Sequence, residues 1–401
     1  MGEHAIASGL RNFSRVGTPI YLDHHATTPV DPRVAEVVLH AMTVAFGNAN
    51  STEHAFGEIA GEMVHAARIQ VARLVGAVED AVHFTSGSTE SIRLALDHAV
   101  SSNHTGAGRP LRVAASTVEH HAVMDRLSEL RDAGLISIQW VPVDHEANLN
   151  LEALEAELRQ GADLVCVMAA NNEVGTIYPV QEIAEQAHRH GADILVDATQ
   201  AVGHIPIHVE DWGLTYVALS AHKIYGPKGV GALVTQEGTA VRRDAGARGA
   251  GIGTPNVPGI AGLGEACRLI SLHGREDALR LRTLRDRLEA ALLAGIDGLV
   301  INGARQRRLA HNLHVAIPGL PGDAVIARLS RSVAVSSGAA CSSGVDEPSH
   351  VLRAMRLSQA IQDSAIRMGL GRGTTEGDVD IAGERIIEAA LSTTSAMRAA
   401  G

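Results

Sequence analysis

Short apolar runs alternate along the chain with segments whose apolar residues recur every three or four positions. The apolar runs have the length of buried β-strands. In the segments between them, the spacing of apolar residues is that of amphipathic α-helices. Near-continuous apolar strands separated by helices are typical of a mostly parallel sheet that is covered on both faces. The predicted strands of this sheet are Ala81–Thr85, Leu111–Ala115, Ile136–Val141, Leu164–Met168, Ile194–Val196, Leu214–Leu219 and Val230–Val234.

A short strand at Ile20–Leu22 and a helix from about His54 to Val75 are predicted before this sheet. The helix is amphipathic, because its apolar residues keep helical spacing while Arg68 and Arg73 lie off their stripe. The stripe consists of Phe56, Ile59, Met63, Ala67, Val71 and Leu74.

The pattern changes near Pro255–Gly259, where a long helical region up to about Gly295 leads away from the sheet. The sequence therefore predicts an α/β fold, with a large domain at residues 20–258 and a smaller α+β domain formed by residues 1–19 and 259–401. The smaller domain is predicted to contain strands near Leu299–Ile301, Asn312–Ala316 and Ala365–Leu370 and a final helix from about Glu376 to Met397.

Length and composition narrow the classes of function. With 401 residues, 45% of them hydrophobic, the chain is long enough to bury a large core. Aromatic residues make up only 2%, and acidic residues outnumber basic ones by 45 to 34, for a net charge of −11. This balance disfavours nucleic acids and anionic membranes as main partners. We predict neither a signal peptide nor a membrane span, because the sequence lacks an apolar run of the required length.

Three cysteines, Cys166, Cys267 and Cys341, are far apart and form no C-x-x-C pair. This spacing predicts neither a disulfide framework nor a zinc site, and a reducing cytoplasm is the expected setting. Cys166 lies in a predicted strand and Cys267 in a predicted helix. Cys341 lies in a small, polar, turn-rich segment, residues 336–344, where a thiol with a lowered pKa is suited to nucleophilic attack.

A carboxylate and an amine follow two neighbouring strands of the predicted sheet. Asp197 ends the run Ile194–Val196, and Lys223 follows the run that ends at Leu219. Ligands of open α/β sheets bind at the carboxyl ends of strands. Pyridoxal phosphate (PLP) needs such a pair, because a lysine forms its Schiff base and a carboxylate keeps its pyridine nitrogen protonated. The alternative for an isolated lysine is a solvated loop residue.

A possible anion site follows the strand Ala81–Thr85. Gly87 permits close approach, Ser88 and Thr89 supply hydroxyls, and a predicted helix supplies free N–H groups at its start. The same residues together with Glu90 also match an ordinary helix capping box.

Three motifs together, residues 85–91, 196–200 and 220–223, resemble the class V aminotransferase family, and within it the cysteine desulfurases of the NifS/IscS group. The similarity runs from Tyr21 to Arg372. It implies PLP fold type I, in which the large domain carries a mostly parallel seven-stranded sheet. It also implies a homodimer that binds PLP as a Schiff base with Lys223.

The resemblance also implies roles for individual residues. His120 is expected to stack on the cofactor ring and to assist proton transfer, Asn172 to lie beside cofactor and substrate, and Gln200 to bind the phenolic oxygen. The phosphate is expected to be bound by Ser88, Thr89, Ser220 and His222, and by Thr254 of the other subunit. Taken alone, His120 is typical of a surface histidine at a helix start, and Asn172 and Gln200 are typical of turns.

Arg367 lies in an apolar run, where a charge must find a partner. The resemblance implies that the partner is the substrate carboxylate, bound bidentately by the guanidinium. An internal salt bridge with an Asp or Glu is the structural alternative.

The segment around Cys341 resembles the longer cysteine loop of the NifS/IscS group and not the short loop of the SufS-like group. The resemblance therefore implies that sulfur is taken from L-cysteine, that L-alanine is released, and that a persulfide forms on Cys341 for transfer to an acceptor protein. Alternatives on the same fold are a selenocysteine lyase and an aminotransferase, and a non-enzymatic interaction protein is a further one. The acceptor pathway stays open among iron–sulfur clusters, tRNA thiolation, DNA backbone modification and biosynthesis.

The chain departs from the family pattern at two places. His24 and His25 precede the Ala-Thr-Thr motif where many relatives carry other polar residues, and no metal site is predicted there because no further ligands lie at suitable spacing. Relatives use a longer tail after the last helix to dock a scaffold protein, and the sequence does not show such a tail.

Overall fold

The structure is a computed structural model that describes residues 19–104, 109–239, 241, 253–337 and 349–400. The strands of this described part, β1 to β12, are Ile20–Tyr21, Val82–Thr85, Leu111–Ser116, Ile136–Val141, Leu164–Met168, Asp193–Asp197, Tyr216–Ser220, Gly231–Thr235, Val300–Ile301, Asn312–Ala316, Val333–Ala334 and Ala365–Gly369. Its α-helices, α1 to α12, are Pro32–Thr43, Ala55–Val75, Ser88–His104, His121–Asp132, Leu151–Arg159, Val180–Arg189, Val209–Trp212, Val257–Gly295, Gly322–Leu329, His350–Ala354, Gln359–Gln362 and Glu376–Ala400.

Seven strands form one large sheet in the order β2-β8-β7-β6-β5-β3-β4. Strand β8 is antiparallel to both of its neighbours, and the other six strands run in the same direction. The predicted mostly parallel sheet is therefore confirmed. The largest difference at a strand end is at Leu214, whose N–H donates to the carbonyl of Val209 in the turn that closes α7, so that β7 begins at Tyr216.

Both faces of the large sheet are buried, as the continuous apolar strands predicted. In β5, Val165 and Val167 belong to one core cluster, whereas Leu164 and Cys166 belong to a second cluster on the other face. Successive side chains of a strand point to opposite faces, so helices on both sides are needed to cover them. Each fully buried Val or Leu contributes about 1.5–3 kcal/mol through removal of apolar surface from water.

Helix α8 connects the core of the large sheet to another core cluster. Its residues Ile260 and Ile270 pack in the first, and Leu281 and Leu288 pack in the second. The second cluster also covers a three-stranded antiparallel sheet of order β12-β10-β9. The predicted helix and strands of this region are confirmed, while the predicted domain division at residue 258 stays a prediction.

The N-terminal segment of the described chain joins both parts. Strand β1 pairs in parallel with β11, and Leu22 packs in the second core. A few residues later, the N–H and hydroxyl of Thr28 both donate to the carbonyl of His222, each at 2.9 Å. The residues between them, from Asp23 to Thr27, therefore lie between the three-stranded sheet and the end of β7.

The predicted stripe of helix α2 divides into two halves. Ala67 and Val71 are buried in the first core, but Phe56 and Ile59 are 54% and 44% exposed. Further exposed apolar side chains lie on α1 and just after it, and one of them, Phe46, contacts Phe56. We call this surface the apolar α1–α2 patch, and it consists of Leu39, Met42, Val44, Phe46, Phe56 and Ile59.

Candidate active site

The parallel strands of the large sheet end at a common edge, and the predicted site residues from Ser88 to Lys223 follow their ends. Strands β2, β3, β5, β6 and β7 end there. Strand β8 runs the opposite way and begins there, with Gly231 paired to both Thr85 and Ser220. This edge is where α/β sheets bind ligands.

Asp197 and Lys223 lie at the ends of the neighbouring strands β6 and β7. The backbone N–H of Thr199 donates to Oδ1 of Asp197 at 3.0 Å, and the Thr199 hydroxyl donates to the same oxygen. Oδ2 of Asp197 has no hydrogen bond within the described part of the chain. Lys223 ends a short 3₁₀ turn after β7, and its Nζ donates to the carbonyls of His25 and Ala26, the latter at 2.9 Å.

The predicted anion site is a cradle in which two glycine backbones touch. A Cβ on Gly231 would lie 2.7 Å from Cα of Gly87, so strand β8 accommodates the loop before α3 only because it has glycine there. The helix begins its own hydrogen bonds with Ser91 N to Gly87 O, which leaves the N–H groups of Ser88 and Thr89 outside its ladder. The cradle can therefore donate several hydrogen bonds to a phosphate.

Only half of the capping alternative is observed: Glu90 accepts a hydrogen bond from Ser86 N at 2.6 Å, but Gly87, where the helix ladder begins, has no side chain that could complete the box. This cap does not use the N–H groups of Ser88 and Thr89.

The other two predicted phosphate ligands lie at the end of β7, where Ser220 is the last residue of the strand and His222 lies in the turn after it. Nδ1 of His222 lies 3.1 Å from the hydroxyl of Thr27. Burial lowers the pKa of His222 to about 4, aided by the charge of Lys223, so the ring is neutral at neutral pH.

His120 is half-buried and caps helix α4, because its Nδ1 accepts a hydrogen bond from Ala122 N at 3.1 Å. The predicted position at a helix start is therefore right. Burial lowers its pKa, while the charge of Asp197 raises it and that of Lys223 lowers it. The imidazole thus lies within electrostatic reach of both residues.

Glu119, next to His120, is a buried carboxyl that the sequence did not mark as part of the site. Its Oε1 accepts a hydrogen bond from Met168 N at 2.8 Å. Burial, together with the negative charge of Asp197, raises its pKa to about 8, although the hydrogen bond from Met168 N acts in the opposite direction. At neutral pH Glu119 is therefore mostly protonated, and it does not compete with Asp197 for a cationic group.

Gln200 is buried and bonds to His25 twice. Its Oε1 lies 3.1 Å from Nδ1 of His25, and its Nε2 donates to the carbonyl of His25 at 3.0 Å. The sequence marked His25 only as a departure from the family pattern. Its partners are spread over the chain, so the sequence alone carried no signal for this contact.

Arg367 is fully buried in β12 and has an internal partner. Its Nη2 donates to Oδ1 of Asp23 at 3.0 Å, and its Nη1 donates to the carbonyl of Asn172 at 3.0 Å. The salt-bridge alternative from the sequence is therefore observed, and the structure adds Asp23 to the site. Nε of Arg367 is buried without a hydrogen bond in the described residues. The substrate-carboxylate role of Arg367 stays a prediction.

Two predicted site residues remain, Thr254 and Cys341. Thr254 is exposed, which is expected in a single chain for a residue that would contact another subunit. The carbonyl of its neighbour Gly253 accepts a hydrogen bond from Nδ2 of Asn50 at 3.3 Å. Cys341 lies outside the described residues.

The residues of this edge fit PLP. Lys223 supplies an amine, Oδ2 of Asp197 an acceptor for a ring N–H, and Gln200 an amide near both, while the glycine cradle suits the phosphate. Within the described ranges, no cluster of three or more His, Cys, Asp or Glu side chains is arranged to hold a metal ion. No described helix combines the length and the apolar character that crossing a membrane requires.

The chain belongs to the aminotransferase class-V family, whose model matches residues 20–381. It is 44% identical to the cysteine desulfurase IscS of Anaeromyxobacter sp. (strain Fw109-5), over 92% of both chains. Its fold matches a solved NifS-like protein at 33% identity, with a TM-score of 0.82 over 92% of this chain and 99% of that one. It also matches a structure of SspA in complex with cysteine at 25% identity, with a TM-score of 0.73 over 87% of this chain and 98% of that one.

Proposed function

We propose that this protein is a PLP-dependent cysteine desulfurase, which converts L-cysteine to L-alanine and leaves the sulfur as a persulfide on Cys341. The observation that carries the proposal is the convergence of Lys223, Asp197 and the glycine cradle at one edge of the sheet. Family membership and a 44% identical relative that is named a cysteine desulfurase support it. The cysteine found in the SspA structure supports L-cysteine as the substrate.

When bound, PLP supplies an electron sink for the substrate. Lys223 would hold it covalently through Nζ, and Asp197 would hold a proton on its ring nitrogen through Oδ2. Ser88, Thr89, Ser220 and His222 would bind its phosphate. Gln200 would donate to its phenolic oxygen, since Oε1 of Gln200 is already engaged by His25.

His120 and Lys223 divide the proton transfer at the substrate Cα. Because Nδ1 of His120 accepts the Ala122 N–H, the neutral ring carries its proton on Nε2. His120 is therefore arranged as a donor, and the amine of Lys223 is left as the base. This division is consistent with two side chains close enough for the charge of Lys223 to lower the pKa of His120.

Cys341 takes the sulfur in a step that needs no external oxidant. Its thiolate attacks the sulfur of L-cysteine, and the S–S bond forms as the Cβ–S bond breaks. The electron pair of the broken bond stays with the carbon fragment, which takes up protons and leaves as L-alanine. The carbon is thereby reduced while the two sulfur atoms are oxidised. A reduced thiol is needed at each turnover, which fits the expected cytoplasmic setting.

Arg367 would bind the substrate carboxylate together with Asn172. In the structure Asp23 occupies Nη2 of Arg367, and Arg367 is only 1% exposed. Binding of a substrate carboxylate therefore has to displace or share the Asp23 contact. The exchange replaces one carboxylate by another, so the buried guanidinium is never left without an anionic partner.

A homodimer is part of the proposal. The apolar α1–α2 patch exposes six large apolar side chains, including Phe46 and Phe56, whose ring centroids are 5.4 Å apart. Exposed apolar surface beyond scattered single side chains marks interaction sites in soluble proteins. Thr254 is exposed, as required for a residue that reaches the phosphate of the other subunit.

Dimer formation through the apolar α1–α2 patch predicts that the wild type sediments with about twice the 42.0 kDa mass of one chain. Phe46→Asp and Phe56→Asp should shift the protein to the monomer, because each buries an unpaired carboxylate in the interface. Leu391→Asp is the matched control, since Leu391 is 58% exposed on α12, outside the patch. Sedimentation velocity measures all four proteins. A monomeric wild type, or patch variants that remain dimeric, would contradict the proposed interface.

The function is tested by the products of the wild type with PLP, L-cysteine and a reducing thiol. We expect L-alanine and sulfide in equal amounts, because each C–S cleavage yields one of each once the persulfide is reduced. A keto acid in place of alanine would support the aminotransferase alternative. Activity confined to selenocysteine would support the lyase, and no turnover of any amino acid would support the interaction protein.

A further inference from the structure

His25 lies at the centre of a hydrogen-bond network that joins separate segments of the chain. Its side chain is completely buried. Nδ1 lies 3.1 Å from Oε1 of Gln200, and Nε2 lies 3.1 Å from Nδ2 of Asn312. Its backbone carbonyl accepts hydrogen bonds from Nε2 of Gln200 and from Nζ of Lys223. One residue therefore contacts both the amide and the amine of the cofactor site.

The far end of the network fixes the protonation of His25. Nδ2 of Asn312 also donates to the backbone carbonyl of Glu173 at 2.9 Å. A carbonyl oxygen only accepts, so the Asn312 amide must present its nitrogen to both Glu173 and His25. Nε2 of His25 is then the acceptor, and the ring is neutral with its proton on Nδ1. Burial agrees with this assignment, since it lowers the pKa of His25 well below its ordinary value.

The near end of the network fixes the Gln200 amide. Nδ1–H of His25 donates to Oε1 of Gln200, and the amide nitrogen of Gln200 donates to the His25 carbonyl. Reversing the amide would place two acceptors together at the carbonyl and two donors together at Nδ1. One N–H of Gln200 is left for a bond outside the network, and Gln200 retains 8% exposure at the edge of the sheet.

The surrounding backbone makes room for these side chains. A Cβ on Gly369 would lie 2.6 Å from Cδ2 of His25, and a Cβ on Gly175 would lie 2.4 Å from Cγ of Asn312. His311 stacks on the His25 ring, with centroids 4.6 Å apart and planes inclined by 23°. The ring of His204 packs against that of His311, with centroids 4.2 Å apart. The plane of the His25 ring is thus set by packing as well as by hydrogen bonds.

We propose that His25 is a positioning residue that holds the Gln200 amide as a hydrogen-bond donor toward the phenolic oxygen of the cofactor. The proposal rests on the proposed function, because it names a residue that orients a part of that site. Donation from Gln200 stabilises the ionised phenolic oxygen, so His25 lowers the pKa of the bound cofactor without touching it.

The test is a pH titration of the visible absorbance of the holoenzyme. His25→Phe keeps a ring but loses both hydrogen bonds, and it should raise the pKa of the absorbance change by about one unit, the effect of about one hydrogen bond. His25→Asn carries an amide nitrogen near the position of Nδ1, so it should titrate close to the wild type. In a Gln200→Ala background, His25→Phe should cause no further shift, because residues that act through one contact are not additive.

His204→Phe is the matched control, since it changes a histidine of the same stack that does not bond to Gln200. Its titration should equal that of the wild type. An unshifted titration in His25→Phe, an equal shift in His204→Phe, or an additive shift in the double variant would overturn the role of His25. If His25→Phe does not fold, His25→Gln, whose amide cannot take the Nδ1 position, replaces it in the comparison with His25→Asn. A wild type that shows no visible absorbance with PLP would instead refute the proposed function itself.

Discussion

Replacement of Lys223 by alanine is expected to lower the rate of L-alanine formation from L-cysteine by about 10³-fold or more, equivalent to about 4 kcal/mol of transition-state stabilisation. Lys223 is the amine that holds the cofactor and the base at the substrate Cα, so one substitution removes two roles. The bound cofactor should also lose the visible absorbance that depends on its covalent attachment. The assay measures alanine, and a spectrum of the same sample reports the attachment.

The sequence offers a matched control for this variant, because Lys223 and Lys228 are its only lysines. Lys228 is exposed five residues later, and Lys228→Ala should keep activity within about threefold of the wild type, as surface substitutions usually do. Borohydride reduction of the holoenzyme followed by mass spectrometry should find the cofactor on the peptide of Lys223. An adduct on Lys228, or full activity of Lys223→Ala, would contradict the assignment.

The large sheet was predictable because its inner strands are buried on both faces, so that they are near-continuous apolar runs, whereas the edge strand β4 is partly exposed. Its carboxyl edge followed from the same pattern, and with it the placement of Asp197 and Lys223. Phe56 and Ile59 show where this reasoning fails. Their spacing is that of a buried stripe, but in the N-terminal half of the helix the buried residues are Gly57 and Ala60 instead. Periodicity identifies an apolar face and does not identify what covers it.

Contacts between distant segments could not be predicted from the sequence alone. The need of Arg367 for an anionic partner could be predicted from its apolar surroundings, but Asp23 as that partner depends on how β12 packs against the N-terminal segment. The network of His25 likewise depends on tertiary packing, because Gln200 follows β6 of the large sheet and Asn312 begins β10 of the three-stranded sheet. Local motifs therefore predicted which residue types form the site, and the fold determined how each is oriented.

The two cysteines in the described part of the chain are unsuited to sulfur transfer. Cys166 is buried in β5 and Cys267 in α8, and neither forms a disulfide. Burial raises the pKa of both thiols above the ordinary range, so neither is a thiolate at neutral pH. Since a thiolate is the attacking species, the persulfide is expected on Cys341.

Cys341→Ser is therefore expected to abolish persulfide formation and to lower alanine formation by about 10²-fold or more, because a serine hydroxyl at neutral pH is a far weaker nucleophile toward sulfur than a thiolate. The cofactor spectrum should be unchanged, since Cys341 belongs to no part of the proposed cofactor site, and this separates the variant from Lys223→Ala. Mass spectrometry after one turnover without reductant should find 32 Da, about one sulfur atom, added to the wild type and to the control Cys267→Ala but not to Cys341→Ser. If Cys341→Ser forms alanine at the wild-type rate, sulfur leaves the substrate without a protein thiol, and the lyase alternative replaces the persulfide mechanism.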